Sequence, residues 1–396
     1  MLGSCRPGAA VGMALGDALD RVLAEAVSAP EPVPPFANSA MDGFAVRAED
    51  VAGASAGRPA RLVVVGTVAA GQAPEEVVGS GQAVRIMTGA PLPAGADAIA
   101  IVETTRPDGV HAVLVDAPVE VGDHIRAAGE DLAAGQEVFA PGTVLRAGHL
   151  GVLATTGRRQ VTVVPAPRVG VLSTGDELVD DGGALRLGQI RDSNRLTLLA
   201  LLRRDGYHAV DLGIARDDEA EIADKLVAAA ASCDAVLSSG GVSMGDFDYV
   251  KKVLDDIGAM TWMQVAIRPA KPFAFGTIAT TPVFGLPGNP VSSMVSYELL
   301  ARSGLRRMAG HHPGDLHHPT ILAVADDASL LRRRDPRTYY LRVRTETGAD
   351  GRFHVRSAGG QGSNLLWPMA TADALAVVPP GTGVDVGGDV EVVLLP

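Results

Sequence analysis

Three glycine-containing segments carry residue types that can bind and activate a ligand. The longest, Ser238–Lys252, reads Ser-Ser-Gly-Gly-Val-Ser-Met-Gly-Asp-Phe-Asp-Tyr-Val-Lys-Lys. Gly240, Gly241 and Gly245 let the backbone come close to a ligand, and free amides at a helix start favour an anion. Ser238 and Ser243 add hydroxyls. Asp246 and Asp248 do not suit a bare phosphate, but they suit a phosphate that arrives with Mg2+, which takes carboxylate and phosphate oxygens together. Asp246 equally fits a helix cap. The second segment, Ser173-Thr174-Gly175-Asp176-Glu177, repeats the pattern of small hydroxyl residues, a glycine and carboxylates. The third, Gly285-Leu286-Pro287-Gly288-Asn289-Pro290, is a stiff turn; Pro290 suits a first helical position, and a rigid connection with no ligand is the plainer reading. Between them, Ile267-Arg268-Pro269-Ala270-Lys271-Pro272 mounts two cations on a stiff backbone, an arrangement suited to a tetrahedral oxyanion such as phosphate or molybdate.

The elements around these segments place them at strand ends. Ala235–Leu237 is a short apolar run ahead of the longest segment, and Val250, Val253, Leu254 and Ile257 follow at helical spacing. From 168 onward strand and helix alternate. Strands are predicted at Arg168–Leu172, His208–Leu212, Ala235–Leu237, Met260–Val265, Phe273–Phe275 and Val283–Leu286. Helices are predicted at Asn194–Arg204 (capped by Asp192 or Ser193 and closed by Gly206), Asp217–Ala231, Asp246–Ile257 and Val291–Arg302. This rhythm predicts a doubly wound, largely parallel sheet, in which ligands bind at the carboxyl ends of strands. Ahead of it, residues 14–28 read as part of a helix, with Leu15, Leu19, Val22 and Leu23 on one face. Leu62–Val65, Ala83–Met87, Ala98–Val102 and Val110–Val115 read as strands of a β domain, and Ala147–Thr155 as a helix. After about 311 the helices stop, and Tyr339–Thr345, Arg352–Arg356, Ala374–Val378 and Val390–Leu394 predict an all-β domain.

Composition bounds the reading. A chain of 396 residues exceeds one compact core. A net charge of −12 argues against general nucleic-acid binding. Two cysteines far apart, Cys5 and Cys233, fit a reducing cytosol and no metal spacing. No window holds the ~18 apolar residues of a membrane span, and Gly16, Asp17 and Asp20 interrupt any secretory signal. Only four of 34 basic residues are lysines, and Lys251, Lys252 and Lys271 fall in or near the longest segment, a hint of point-charge contacts to an anion there. Ser39–Gly43, Arg85–Pro91 and Arg126–Asp131 each read singly as solvated turns. His311, His312, His317 and His318 read as a solvated loop, since no strand or helix fixes ligand geometry.

Taken in order, Asn38–Val46, Arg85–Pro91, Gly129–Asp131, Ser173–Leu178, Asp192–Asn194, Ser238–Lys252, Lys271-Pro272 and Gly285–Ser292 resemble the MoeA family of molybdopterin molybdenumtransferases. That family includes the E domain of gephyrin and of its plant counterpart, and the likeness runs from about residue 15 to the end. The resemblance implies an α/β and β multidomain fold. A mixed linker domain would take 1–37 plus 120–165, an inserted β domain 38–119, a MogA-like doubly wound domain 166–310, and a β-barrel-like domain 311–396. It also implies a cytoplasmic homodimer whose cleft is shared between subunits, a MogA-type adenylyltransferase as a possible partner, and no membrane or nucleic acid. The implied activity is insertion of molybdate into adenylylated molybdopterin, with Mg2+-dependent release of AMP. Asp176, Glu177 and Asp248 would serve the Mg2+–pyrophosphate end. Asp42, Thr88, Arg126 and Asp131 would line the cleft from the other subunit. Lys271, Ser292, Arg342 and Ser363 would hold molybdate or the pterin phosphate. Substrate contacts would also come from Ser173, Thr174, Gly175, Asp192, Ser238, Gly240, Gly241, Ser243, Asp246, Arg268, Pro287 and Pro290. No histidine sits in the three loops, so none is assigned as a general base. The chain departs from the family at Arg268, commonly lysine, and Ala270, commonly glycine. The family's first helix, normally ahead of Leu15, is mostly missing, which implies an upstream start or a shortened dimer arm. The alternatives are a scaffold of gephyrin type and a paralogue acting on another nucleotide-linked substrate.

Overall fold

The strand–helix rhythm beyond residue 168 folds into a six-stranded sheet. In this computed structural model, which describes residues 1–241, 249–327, 336–381 and 383–396, the chain divides into two compact units. One comprises Met1–Glu25, Pro141–Arg146 and Gln160–Pro396; the other comprises Ala26–Ala140 and Ala147–Arg159.

In the first unit the sheet order is His208–Ala215, Arg168–Thr174, Ala235–Ser239, Thr281–Leu286, Pro272–Ile278, Ala259–Gln264. The first four strands are parallel, and the last two run antiparallel to their neighbours. Side chains alternate across the sheet. Val169, Val171 and Leu237 pack under Leu198, Leu202, Tyr297 and Leu305 on one face. Leu172 and Val236 pack under Ile222, Leu226, Val253 and Leu254 on the other. Helices therefore cover both faces, as a buried parallel sheet requires. The order turns outward in opposite directions from Arg168–Thr174, so its carboxyl end and that of Ala235–Ser239 flank the topological switch point where such sheets bind ligands.

The C-terminal strands close on themselves. Thr338–Thr347 pairs with Phe353–Ser357 and with Ala374–Val378, and Thr320–Ala325 and Asp389–Leu394 complete a five-stranded barrel. Ile267–Arg268 pairs in parallel with Thr338 and Tyr339, so the cationic loop is stitched to the barrel. The other unit holds a second six-stranded sheet, ordered Ala98–Ile101, Gly43–Val46, Gln82–Ile86, Ala60–Val68, Ala112–Val115, Thr105–Pro107.

Three local expectations are corrected. Residues 14–28 are not helical: Leu15–Asp17 is a single 3-10 turn, and Val22–Leu23 pairs with Gln160–Val164. Only Val22 and Leu23 of that supposed apolar face are buried, while Leu19 is exposed; β-branched Val22 gains more from the sheet. The helix expected over 291–302 instead runs from Pro290 through a π-helical stretch, Tyr297–Ala301, to Met308. Helices do not end at 311, because Leu366–Thr371 forms a short one with Pro368 in its first turn, where proline is tolerated.

Candidate functional site

The three loops read from the sequence open into one cavity of about 460 Å³. Thr174, Gly175 and Glu177 line it from the first loop, Ser239, Gly240 and Gly241 from the second, and Pro287, Gly288, Asn289 and Pro290 from the third. Gly240 (φ 99°) and Gly241 (φ 69°) take the left-handed backbone that glycine alone adopts cheaply. Asp192 caps the helix Ser193–Arg204 by accepting from the Arg195 amide at 3.1 Å, and it also accepts from Ser173 Oγ at 3.0 Å. Ser238 is fully buried behind the loop, and its hydroxyl has no partner among the described residues. Ser243, Asp246 and Asp248 lie outside the described residues.

Two findings change the expected acid set. Asp176 is absent from the lining. It is an exposed residue that faces the next turn, where its Oδ1 accepts from the Asp217 amide at 3.3 Å and its own amide donates to Asp217 Oδ2 at 3.4 Å. Asp217 lines the cavity in its place. Sequence reading took Asp217 only as the acidic first turn of a helix; its place at the end of the strand neighbouring Arg168–Thr174 was the usable signal. Asn194, also on the lining, stands in the motif Asp192–Asn194 but has no site role in the sequence reading.

A second cavity, about 290 Å³, is lined by Arg268, Lys271, Ser292, Arg337, Gln361 and Ser363, and Pro272 borders both cavities. Its floor is the docked seam of helix and barrel: the Val291 amide donates to the Ser363 carbonyl at 3.0 Å. Ala270 supports the loop from a buried position at φ 75°, a left-handed conformation for a residue with a Cβ. Arg268 stacks on Tyr339, 5.3 Å from the ring centroid, and donates to its hydroxyl at 3.0 Å. Arg268 also lines a third cavity of about 230 Å³ with Arg342. Arg342 is wholly buried. Its Nη2 donates to the Gly360 and Gly362 carbonyls at 3.0 and 3.1 Å, while Nε and Nη1 have no partner among the described residues. Burial pushes the guanidinium down to about 10.

The other lysines are employed elsewhere, which corrects the anion reading of their clustering. Lys252 pairs with Glu219 at 2.7 Å, and Lys251 lies over the Trp262 ring. The histidine group is a solvated loop only in part: His312 and His317 are exposed, but the other two are not. His318 is buried against Glu298 at 2.8 Å, and burial beside Arg306, Arg302 and Arg146 pushes His311 down to about 3. Among the described residues no cluster of His, Cys, Asp or Glu is arranged to hold a metal by itself.

In the other unit, three motifs converge. Strand Asn38–Ser39 pairs with Ile125–Arg126, so Arg126 sits opposite Asn38. The Ser39 amide donates to the Ala90 carbonyl at 3.0 Å. Asp42 Oδ1 accepts from the amide and the hydroxyl of Thr88, both at 2.7 Å, which holds the exposed carboxyl below its ordinary range. Asp131 stands apart, its amide on the Val33 carbonyl at 2.9 Å.

A doubly wound domain with strand-end cavities, joined to a closed barrel across a cationic seam, defines a multidomain α/β ligand-binding protein. Three family signatures cover it in succession: MoeA N-terminal region (domain I and II) over residues 4–157, probable molybdopterin binding domain over 170–307, and MoeA C-terminal region (domain IV) over 328–395. The chain is 37% identical to a molybdopterin molybdenumtransferase of Haemophilus influenzae over 92% of its length and 88% of the relative's. It is 37% identical to molybdopterin molybdenumtransferase 2 of Mycobacterium tuberculosis, over 96% of this chain and 92% of that one. The crystal structure of the molybdopterin biosynthesis moeA protein of Pyrococcus horikoshii superposes with a TM-score of 0.85 at 28% identity, covering 100% of this chain and 97% of that chain. The chain belongs to the MoeA family.

Proposed function

We propose that this protein inserts molybdate into adenylylated molybdopterin and releases AMP. The observation that carries the reading is the adjacency of an acid-bearing cavity and a cationic one, with Pro272 on the border of both. The glycine loops offer amides to phosphate oxygens. Glu177 and Asp217 suit a Mg2+ ion that arrives with phosphates, since that ion typically takes one or two carboxylates and completes its shell with phosphate and water. When bound, Mg2+ would offset charge developing on the phosphates. Lys271, Ser292 and Ser363 would seat the oxyanion in the second cavity, and Arg342, on the third cavity that shares Arg268 with it, would add Nε and Nη1, which have no partner among the described residues. Holding molybdate beside the dithiolene converts an encounter into a local event, an effect worth up to ~7–11 kcal/mol in well-oriented systems. Asp42, Thr88, Arg126 and Asp131 would complete the cleft from the second subunit of a homodimer, and a MogA-type enzyme would supply the substrate in the cytosol. Among the described residues no helix is long and apolar enough to cross a membrane.

The test is complementation of a strain lacking its own insertase, with AMP release followed in vitro. Wild type should restore molybdoenzyme activity. Glu177→Gln should lower AMP release by about tenfold or more, a loss expected when a carboxylate that would hold the metal is removed. Full turnover by a folded Glu177→Gln, Lys271→Ala double variant would sink the assignment.

A further inference from the structure

The first turn of the helix Ser193–Arg204 touches all three strand-end loops. Asp192 takes the Ser173 hydroxyl, at the end of the first strand. Asn194 reaches the other two loops: its Nδ2 donates to Ser239 Oγ at 2.8 Å and to the Gly288 carbonyl at 2.7 Å. Asn194 Oδ1 is buried with no partner among the described residues, where the two N–H bonds orient the carboxamide. The loops it joins lie against each other through bare backbone. The Gly240 amide donates to the Leu286 carbonyl at 3.1 Å, and a Cβ on Gly288 would stand 3.7 Å from the Gly240 Cα.

We propose that Asn194 is a positioning residue that sets the separation of the Gly240–Gly241 and Pro287–Asn289 loops and thereby the width of the phosphate cradle. Asparagine suits the task because one planar nitrogen carries two hydrogens that diverge toward two acceptors. Aspartate has no hydrogen to donate and would oppose the Gly288 carbonyl; leucine keeps the shape and removes both bonds. The inference rests on the reading that a nucleotide phosphate enters this cavity, but its structural half does not.

The experiment compares full-length wild type, Asn194→Leu and Ser239→Ala. Hydrogen exchange is measured on the segments 235–241 and 283–289 in the unliganded protein, and the affinity for Mg-AMP is measured by calorimetry. KM and kcat follow where turnover is observed. Asn194→Leu should raise exchange in both segments and weaken Mg-AMP by about tenfold, with KM moving more than kcat. Ser239→Ala breaks one bond and should loosen only 235–241, with a smaller loss of affinity. Unchanged exchange in both segments and affinity within about twofold of wild type would overturn the proposal, at a separation well below the tenfold expected. If wild type binds no Mg-AMP, the functional reading fails while exchange still decides the positioning role. If Asn194→Leu does not fold, Ser239→Ala decides it.

Discussion

Two buried arginines in the same unit are treated in opposite ways. Arg302, 8% exposed, sends Nε to Asp205 Oδ2 at 2.9 Å, and Tyr297 donates to the same oxygen at 2.8 Å. Beside it, Arg204 contacts Asp205 and also Glu298, whose oxygens it reaches at 2.8 and 3.0 Å. Burial pushes Glu298 up, but the hydrogen bonds from His318 and Arg204 outweigh it and hold the carboxyl below its ordinary range. Two cations thus meet two anions where the helix Ser193–Arg204 abuts the helical run from Pro290 to Met308. Arg342 is more deeply buried, and among the described residues its side chain meets only carbonyls. A buried charge costs several kcal/mol unless it is paired. The paired arginine is part of the scaffold; the other, with no carboxylate beside it among the described residues, is the one that the proposed function gives to an oxyanion.

The largest effect should come from breaking the paired side. Asp205→Ala strands Arg302 without its carboxylate and should cost about 3–5 kcal/mol, read as a lowered denaturation midpoint at unchanged m-value. A loss under about 1 kcal/mol, the level of a surface pair, would erase the contrast. The unpaired side predicts the reverse. Arg342→Met should leave the midpoint unchanged or raise it, because an uncompensated charge is removed, yet lose the response to oxyanion. Molybdate at about 100 times its dissociation constant should stabilise wild type by about 2.7 kcal/mol and Arg342→Met hardly at all. Equal stabilisation of both would break the reading.

Smaller effects sharpen it. Ala270 holds the neighbouring loop at φ 75°, so Ala270→Gly should relieve roughly 1 kcal/mol of left-handed strain, seen as a higher midpoint, less the small loss of a buried methyl. A lower midpoint would show that the loop gains more from the methyl than it loses to strain. On the barrel, His354 offers a half-buried counterpart: its ring nitrogens lie 2.8 Å from Asp326 and 3.1 Å from Asp350. Those hydrogen bonds raise its pKa above 6.5. The stabilisation is therefore fully present below 6.5 and fades as pH rises through the raised value. Melting of wild type against His354→Asn across that range should show a gap that closes toward high pH; a gap that widened would reverse the sign.

The sequence by itself determined the alternating domain and the strand-end position of its three loops. Those features rest on periodicity and glycine, which act within ten or so residues of one another. It also carried the family, because many short motifs stand in one order. It misread residues 14–28, where helical spacing was present but Val22 and Leu23 had a strand partner about 140 residues away, at Val163 and Val164. Only the tertiary structure decided that Asp217, hydrogen-bonded to Asp176, lines the cavity, that Asn194 spans two loops, and that Arg342 lies buried with no carboxylate beside it among the described residues. Each depends on which strand lies next to which, a choice made by long-range packing that no local stretch of chain encodes.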